Sequence, residues 1–118
     1  SNLHADILTD LAASLSGSMG IAPTANLDPD KRHPSMFEPI HGSAFDIMGK
    51  GIANPIGSYW SAVMMLENLG ELQAAQKLMF AIEKLTEDKK VLPKDLGGKS
   101  TTKQITKAMI DIISGKNN

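Results

Sequence analysis

Two aspartates near the start of the chain, Asp6 and Asp10, stand four residues apart. If their segment is helical, both carboxylates lie on one face, about one turn apart. Such a pair can chelate Mg²⁺ or Mn²⁺, which commonly take one or two protein carboxylates and complete their shell with water and substrate oxygens. Acidic residues are also favoured in the first turn of any helix by the macrodipole. The spacing alone therefore leaves both a metal site and a structural role open.

A second group of chemically suggestive residues lies in the stretch "EPIHGSAFDIMGKGIANPIG", which holds four glycines and two prolines. Gly42, with Ser43 and Ala44 as small neighbours, would let a ligand approach the backbone and leave N–H groups free to bind phosphate. Asp46 could accept hydrogen bonds from both hydroxyls of an adenosine ribose. Its charge would repel a 2′-phosphate, which favours NAD over NADP.

Two more side chains of this stretch suit a nucleotide. The amide of Asn54 can donate to and accept from an adenine edge, and His41 could stack on a base or bind a phosphate. Both also have ordinary structural interpretations, since an asparagine before a proline often caps a helix. The usual G-x-G-x-x-G fingerprint after a strand is absent. Ligand binding and simple loop packing therefore remain alternatives at this point.

Hydrophobic spacing predicts the elements that must position these residues. Short extended segments are expected in "MGIAPTANL" and "SMFEP", on either side of the turn "DPDKRHP". Four helices are expected: one at about residues 3–17, one over Pro55–Leu69 stopped by Gly70, one over Glu71–Lys89, and a last one capped by Thr101 or Thr102.

Two short strands do not form a stable sheet without further partners. The pattern thus favours an α/β protein whose other strands lie outside this sequence. A dimer that shares a sheet and a small helical domain with two short bridges are the alternatives.

Composition narrows the function class. The 118 residues carry a net charge of −1 and no cysteine, so neither a disulfide framework nor a thiolate metal site is expected. The part from Ser1 to Gln76 has eight acidic and three basic residues, and the remainder has five acidic and nine basic residues. Without long basic or apolar runs, we expect no nucleic-acid partner, no membrane insertion and a cytoplasmic location.

Two stretches together resemble a known family: "SNLHADILTDLAASLSGSMGIAPTANL" and "MFEPIHGSAFDIMGKGIANPIGSYWSAVMMLENLG". They are similar to the C-terminal third of the β-decarboxylating 2-hydroxyacid dehydrogenases, which include the isopropylmalate, isocitrate, D-malate and tartrate dehydrogenases. The tartrate and D-malate branch looks most similar. The resemblance implies an α/β fold class, as a C-terminal fragment of an isopropylmalate dehydrogenase-like fold that is mostly helical with two short strands. Residues 1–118 would form one fragment with a metal-site helix (about 3–17), an NAD loop (38–54) and terminal helices (55–114).

The resemblance also implies roles for single residues. Asp6 and Asp10 match the family's aspartates for Mg²⁺ or Mn²⁺. The NAD-binding positions are Glu38, near the nicotinamide end, and His41, Gly42, Ser43, Ala44, Asp46, Ile47 and Asn54. Phe45 stands where most relatives have proline, which should leave Asp46 in place.

The activity implied is NAD-dependent oxidation and decarboxylation of a 2-hydroxy diacid, tartrate or D-malate, by a homodimer. The family's catalytic lysine and tyrosine precede the region present here, so the 118-residue chain by itself is expected to be inactive. Isopropylmalate is the nearest alternative substrate. A non-catalytic helical interaction domain is the alternative of another class.

Overall fold

Two antiparallel strands and three α-helices make up the part of the chain that the computed structural model describes, residues 18–116. The helix expected at about residues 3–17, with Asp6 and Asp10, lies outside the described residues. The elements are β1 (Pro23–Asn26), β2 (Met36–Pro39), α1 (Ile56–Asn68), α2 (Leu72–Asp88) and α3 (Thr102–Ile113), with short 3₁₀ turns at Met19–Ile21, Phe45–Ile47 and Lys94–Leu96. The expected mostly helical fragment with two short strands is confirmed.

The strands form a hairpin in which Thr24 pairs with Glu38 and Ala25 pairs with Phe37. Asp28 organises the connecting turn, because its carboxylate accepts hydrogen bonds from the backbone N–H groups of Arg32 at 2.9 Å and His33 at 2.7 Å. This is the turn chemistry expected of an aspartate before a proline. The hairpin delivers the chain into the segment that contains the candidate nucleotide-binding residues.

The helices pack around one apolar core. Its buried side chains come from all three helices: Ile56, Val63, Ala75, Ala81, Ile82, Leu85, Ile105 and Met109. Full burial of an isoleucine, leucine or valine side chain stabilises the fold by about 1.5–3 kcal/mol, so the core holds the three helices against one another. None of the described helices is long and apolar enough to cross a lipid bilayer.

Helix boundaries follow local signals. Gly70, at φ 82°, ends the turn after α1 in the left-handed conformation that glycine adopts without strain. Thr101 caps α3 in a capping box, in which its hydroxyl accepts from the Gln104 N–H and the Gln104 side chain accepts from the Thr101 N–H. Of the two caps predicted, Thr101 is therefore the correct one.

Three details differ from the sequence-based expectation. Glu38 and Pro39, which were expected both in the extended run "SMFEP" and in the NAD loop 38–54, belong to β2, because the strand pairing continues to the Pro23–Pro39 pair. The helix expected to include Pro55 begins at Ile56, and α2 begins at Leu72 and ends at Asp88, one residue inside the expected limits at each end. The segment between β2 and α1 also contains a 3₁₀ turn.

The close contact between α1 and the chain before β1 gives a stability prediction. Gly57 is buried, and a Cβ there would lie 2.8 Å from the carbonyl oxygen of Gly20 and 3.3 Å from Pro39 Cβ. Gly57→Ala should lower the free energy of unfolding by about 1–3 kcal/mol because it overpacks this contact. Urea unfolding followed by circular dichroism measures the change.

Ser58→Ala is the matched control for that substitution. Ser58 is the next residue of α1 and is exposed, so this change should stay within about 0.5 kcal/mol. Equal stability of the Gly57→Ala and wild-type proteins would contradict the packing described here.

Candidate cofactor site

Residues 41–54 connect the sheet to α1, and we call them loop 41–54. The last sheet-like hydrogen bond runs from the Ile40 N–H to the Ala22 carbonyl at 3.1 Å. After it, every residue from His41 to Asp46 is exposed. Among the described residues, no backbone carbonyl accepts from an N–H group of residues 41–46. This half of the loop therefore offers several donors to an anionic ligand.

A tight turn sets the position of Asp46. Ala44 adopts the left-handed conformation at φ 43°, and Phe45–Ile47 form a 3₁₀ turn closed by the Ile47 N–H bond to the Ala44 carbonyl at 3.0 Å. A left-handed alanine costs about 1–2 kcal/mol, and such strain is frequent at ligand sites. Asp46 is exposed, whereas Ile47, the next residue, is half-buried.

Phe45 occupies the first position of this 3₁₀ turn and is 76% exposed. A proline suits that position because its missing N–H would have no partner there. Phenylalanine at the same position forms the turn that carries Asp46, and the expectation that Asp46 keeps the position it has in relatives with proline stays a prediction.

The far end of loop 41–54 is held by the N-terminus of α3. The Thr102 N–H donates to the Gly51 carbonyl at 2.9 Å, and the Thr102 hydroxyl donates to the Ala53 carbonyl. Gly51 has φ 66°, and Gly49 has φ 74°. These positive values let the backbone turn towards α3 without a Cβ clash.

Asn54 ends the loop with both halves of its amide in use. Its Oδ1 accepts from the Ile56 N–H at 2.9 Å, and its Nδ2 donates to Asp95 Oδ2 at 2.8 Å. The N-cap of α1 is Pro55, so the expected role of Asn54 as the N-cap is wrong, although its side chain satisfies the N–H of the first helical residue. An amide has a second N–H and a second oxygen lone pair, so contact with an adenine edge stays chemically open.

The remaining candidates lie on either side of the turn. Glu38 is exposed on β2, opposite Thr24. His41 Nδ1 lies 3.0 Å from the Gly42 carbonyl oxygen. Because a carbonyl only accepts, this bond requires the hydrogen on Nδ1 and leaves Nε2 of a neutral ring as an acceptor. Ser43 is exposed beside them.

The predicted metal ligands lie outside the residues that the structure describes. Asp6 and Asp10 precede the described range, and within residues 18–116 no group of three or more histidine, aspartate or glutamate side chains could hold a metal ion.

An open apolar groove of about 480 Å³, lined by Trp60, Met79 and Ile82 among others, includes none of the candidate site residues.

Sequence reasoning missed the residues that hold the loop in place. The segment "VLPKDLGGKS", between the two last helices, contains none of the predicted site residues, yet it supplies Asp95 to Asn54. Pro93 and the pair Gly97–Gly98 on either side of Asp95 indicate a tight turn. The partner of Asp95, 41 positions away, could not be read from local pattern.

Comparisons with known proteins identify the family of the chain. The family model of isocitrate/isopropylmalate dehydrogenase matches residues 1–113. The chain therefore belongs to the isocitrate/isopropylmalate dehydrogenase family.

Two relatives show which members of the family the chain is similar to. The chain is 61% identical over 116 residues to the probable tartrate dehydrogenase/decarboxylase TtuC of Agrobacterium vitis, covering 98% of this chain and 32% of that protein. It is 47% identical over 118 residues to the D-malate dehydrogenase [decarboxylating] of Escherichia coli K12, covering 96% and 32%. The chain thus spans about a third of the length of these relatives, 32% in both cases.

A solved structure shares the fold. The crystal structure of a β-decarboxylating dehydrogenase from Thermococcus kodakarensis, in its apo form, superimposes with a TM-score of 0.85 at 40% identity. The match covers 97% of this chain and 32% of that one.

The anchoring of the loop by α3 gives a testable prediction. Thr102→Val removes the hydroxyl that donates to the Ala53 carbonyl. A lost hydrogen bond of about 1 kcal/mol should speed hydrogen exchange about fivefold at the hydrogen-bonded amides of loop 41–54, those of Ile47, Met48 and Lys50. Mass spectrometry of the peptide that covers the loop reports this rate.

Thr106→Val is the control on the same helix. It removes a hydroxyl that bonds to Tyr59 at 2.7 Å and to the Thr102 carbonyl within α3 at 2.9 Å but makes no bond to the loop, so exchange in loop 41–54 should stay at the wild-type rate. Equal exchange rates in the two variants would show that Thr102 does not anchor the loop.

Proposed function

We propose that this chain is the cofactor- and metal-binding part of an NAD-dependent dehydrogenase that requires Mg²⁺ or Mn²⁺. Its substrate is a 2-hydroxy diacid, tartrate or D-malate, which is oxidised and decarboxylated. The observation that carries the proposal is the exposed Asp46 on a closed turn, directly after a run of backbone N–H groups that have no carbonyl partner among the described residues. The relatives, named as a tartrate and a D-malate dehydrogenase, support a 2-hydroxy diacid as the substrate.

The residues present fit NAD. Nothing lies within 4 Å of the position that a Cβ would take at Gly42, so the backbone there is open to close approach. The N–H groups around it would donate to the pyrophosphate, and Asp46 would accept from the ribose hydroxyls. The negative charge of Asp46 would disfavour the 2′-phosphate of NADP.

The metal site rests on the chemistry of its donors. Two carboxylates, from Asp6 and Asp10, match the preference of Mg²⁺ and Mn²⁺ for oxygen ligands. When bound, the cation supplies positive charge next to substrate oxygens, and NAD supplies the hydride acceptor. The two aspartates would hold the cation, while loop 41–54 would orient the adenosine end of the cofactor.

Family membership favours this enzyme over the helical interaction domain that the residues alone left open. Isopropylmalate remains the alternative substrate, because the family includes that activity by name. The homodimer and the cytoplasmic location stay predictions.

Cofactor choice tests the role of Asp46. In the protein produced from its natural gene, Asp46→Ala should raise the KM for NAD at least about tenfold, because two hydrogen bonds to a charged acceptor are lost. The preference for NAD over NADP should shrink as well. Steady-state kinetics with both cofactors measures the two effects.

Asp30→Ala is the matched control, because Asp30 is an exposed acid in the hairpin turn. Its ion pair with Arg32 lies at the surface and contributes little to stability. Its kinetics should equal those of the wild type. An unchanged KM for both cofactors in Asp46→Ala would contradict the proposed site.

Metal and substrate dependence test the reaction itself. After treatment with a chelator, the protein should reduce NAD with tartrate or D-malate only when Mn²⁺ or Mg²⁺ is restored. Asp6→Asn with Asp10→Asn should raise the metal concentration needed at least about tenfold, whereas Asp88→Asn, an exposed acid on α2, should not. Activity that survives chelation would contradict the proposed metal site. Activity with isopropylmalate alone would show that isopropylmalate, and not tartrate or D-malate, is the substrate.

A further inference from the structure

Three parts of the chain that are far apart in sequence meet at the carboxylate of Asp95. Its Oδ2 accepts a hydrogen bond from Asn54 Nδ2 at 2.8 Å and another from the Ser18 hydroxyl. The Ser18 oxygen in turn accepts from the Gly20 N–H at 2.9 Å. Asn54 ends loop 41–54, so one carboxylate joins the candidate cofactor loop to the chain that precedes β1.

The backbone that carries Asp95 is fixed. It lies in the 3₁₀ turn Lys94–Leu96, which follows the buried Pro93. The Gly98 N–H donates to the Pro93 carbonyl at 2.9 Å, and a Cβ at Gly98 would overlap the Leu92 carbonyl oxygen. Leu96 packs against the core. The turn can therefore hold the Asp95 side chain in one position beside Asn54.

The carboxylate is packed on one side and open on the other. A Cβ at Gly20 would lie 2.8 Å from Asp95 Oδ2, 3.1 Å from Ser18 Oγ and 3.3 Å from Asn54 Nδ2. The backbone of Gly20 thus covers the three polar groups on one side, whereas Asp95 itself is exposed to solvent.

This arrangement decides which way the Asn54 amide faces. Its nitrogen points to a carboxylate, which only accepts, and its oxygen accepts from the Ile56 N–H. A flipped amide would place Oδ1 against the Asp95 carboxylate and Nδ2 against an N–H, so both bonds would be lost. The direction of donor and acceptor matters for an amide that meets the edge of a base.

We propose that Asp95 is a positioning residue of the cofactor site, which acts by fixing the amide of Asn54 at the adenosine end of NAD. It does not touch the cofactor. This inference rests on the proposed function and adds a residue to it.

The test uses the protein produced from its natural gene and measures NAD affinity by calorimetry together with steady-state kinetics. Asp95→Ala should raise the Kd and KM for NAD about tenfold, since a hydrogen bond to a charged group is lost. At saturating NAD, kcat should stay within about twofold, because Asp95 is not at the reacting atoms. Asp95→Asn, whose amide oxygen can accept both bonds, should restore the affinity to within about threefold of wild type.

Two comparisons separate positioning from general loosening. Lys94→Ala, an exposed neighbour in the same turn, should leave NAD affinity unchanged. In an Asn54→Ala background, Asp95→Ala should weaken NAD binding no further, because residues that act through one another are not additive. If Asp95→Ala does not fold, Asp95→Ser, which keeps a polar group in the turn, takes its place with the same expectations.

The outcomes are distinguishable. A wild-type protein that does not bind NAD overturns the proposed function and this inference with it. A wild type that binds NAD, with wild-type affinity in Asp95→Ala or additive losses in the double variant, overturns the inference alone.

Discussion

The hydrogen bonds at the two ends of loop 41–54 are the constraint on which the candidate site depends. Ordering backbone costs about 1–2 kcal/mol per residue, and the exposed residues from His41 to Asp46 bury little surface to offset it. The first end continues the β-hairpin through the Ile40–Ala22 bond, and the second is tied to Thr102 and Asp95. With both ends fixed, a short irregular segment can keep one shape and present Asp46 on a closed turn.

The helical core determines where those ties can form. Ile56, at the start of α1, and Ile105, in the second turn of α3, are both almost fully buried. Their packing places the first turn of α3 beside the last residues of loop 41–54, where Thr102 reaches the Gly51 and Ala53 carbonyls. Core and site are thus coupled, since a shift of either helix would move the anchors of the loop. The groups left unanchored, the N–H donors and the Asp46 carboxylate, are those that we propose bind the dinucleotide.

Local pattern predicted most of the elements but little of the network that positions the site. The strands, the three described helices and the Thr101 cap follow from apolar spacing and capping chemistry, which act over a few residues. The bonds from Asp95 to Asn54 and Ser18 span 41 and 77 positions, and no periodicity encodes such pairs. The left-handed Ala44 was also unpredictable, because alanine rarely adopts that conformation. Family resemblance, rather than composition, assigned roles to the loop residues and to Asp6 and Asp10, which lie outside the described residues.

A crystal structure of the protein produced from its natural gene, with NAD bound, tests the central claim most directly. We expect the ribose hydroxyls of the adenosine to lie about 2.6–3.2 Å from the Asp46 carboxylate oxygens. The backbone of loop 41–54 should move by no more than about 1 Å from the geometry described here. NAD bound away from the loop, or an adenosine that leaves Asp46 facing solvent, would contradict the claim.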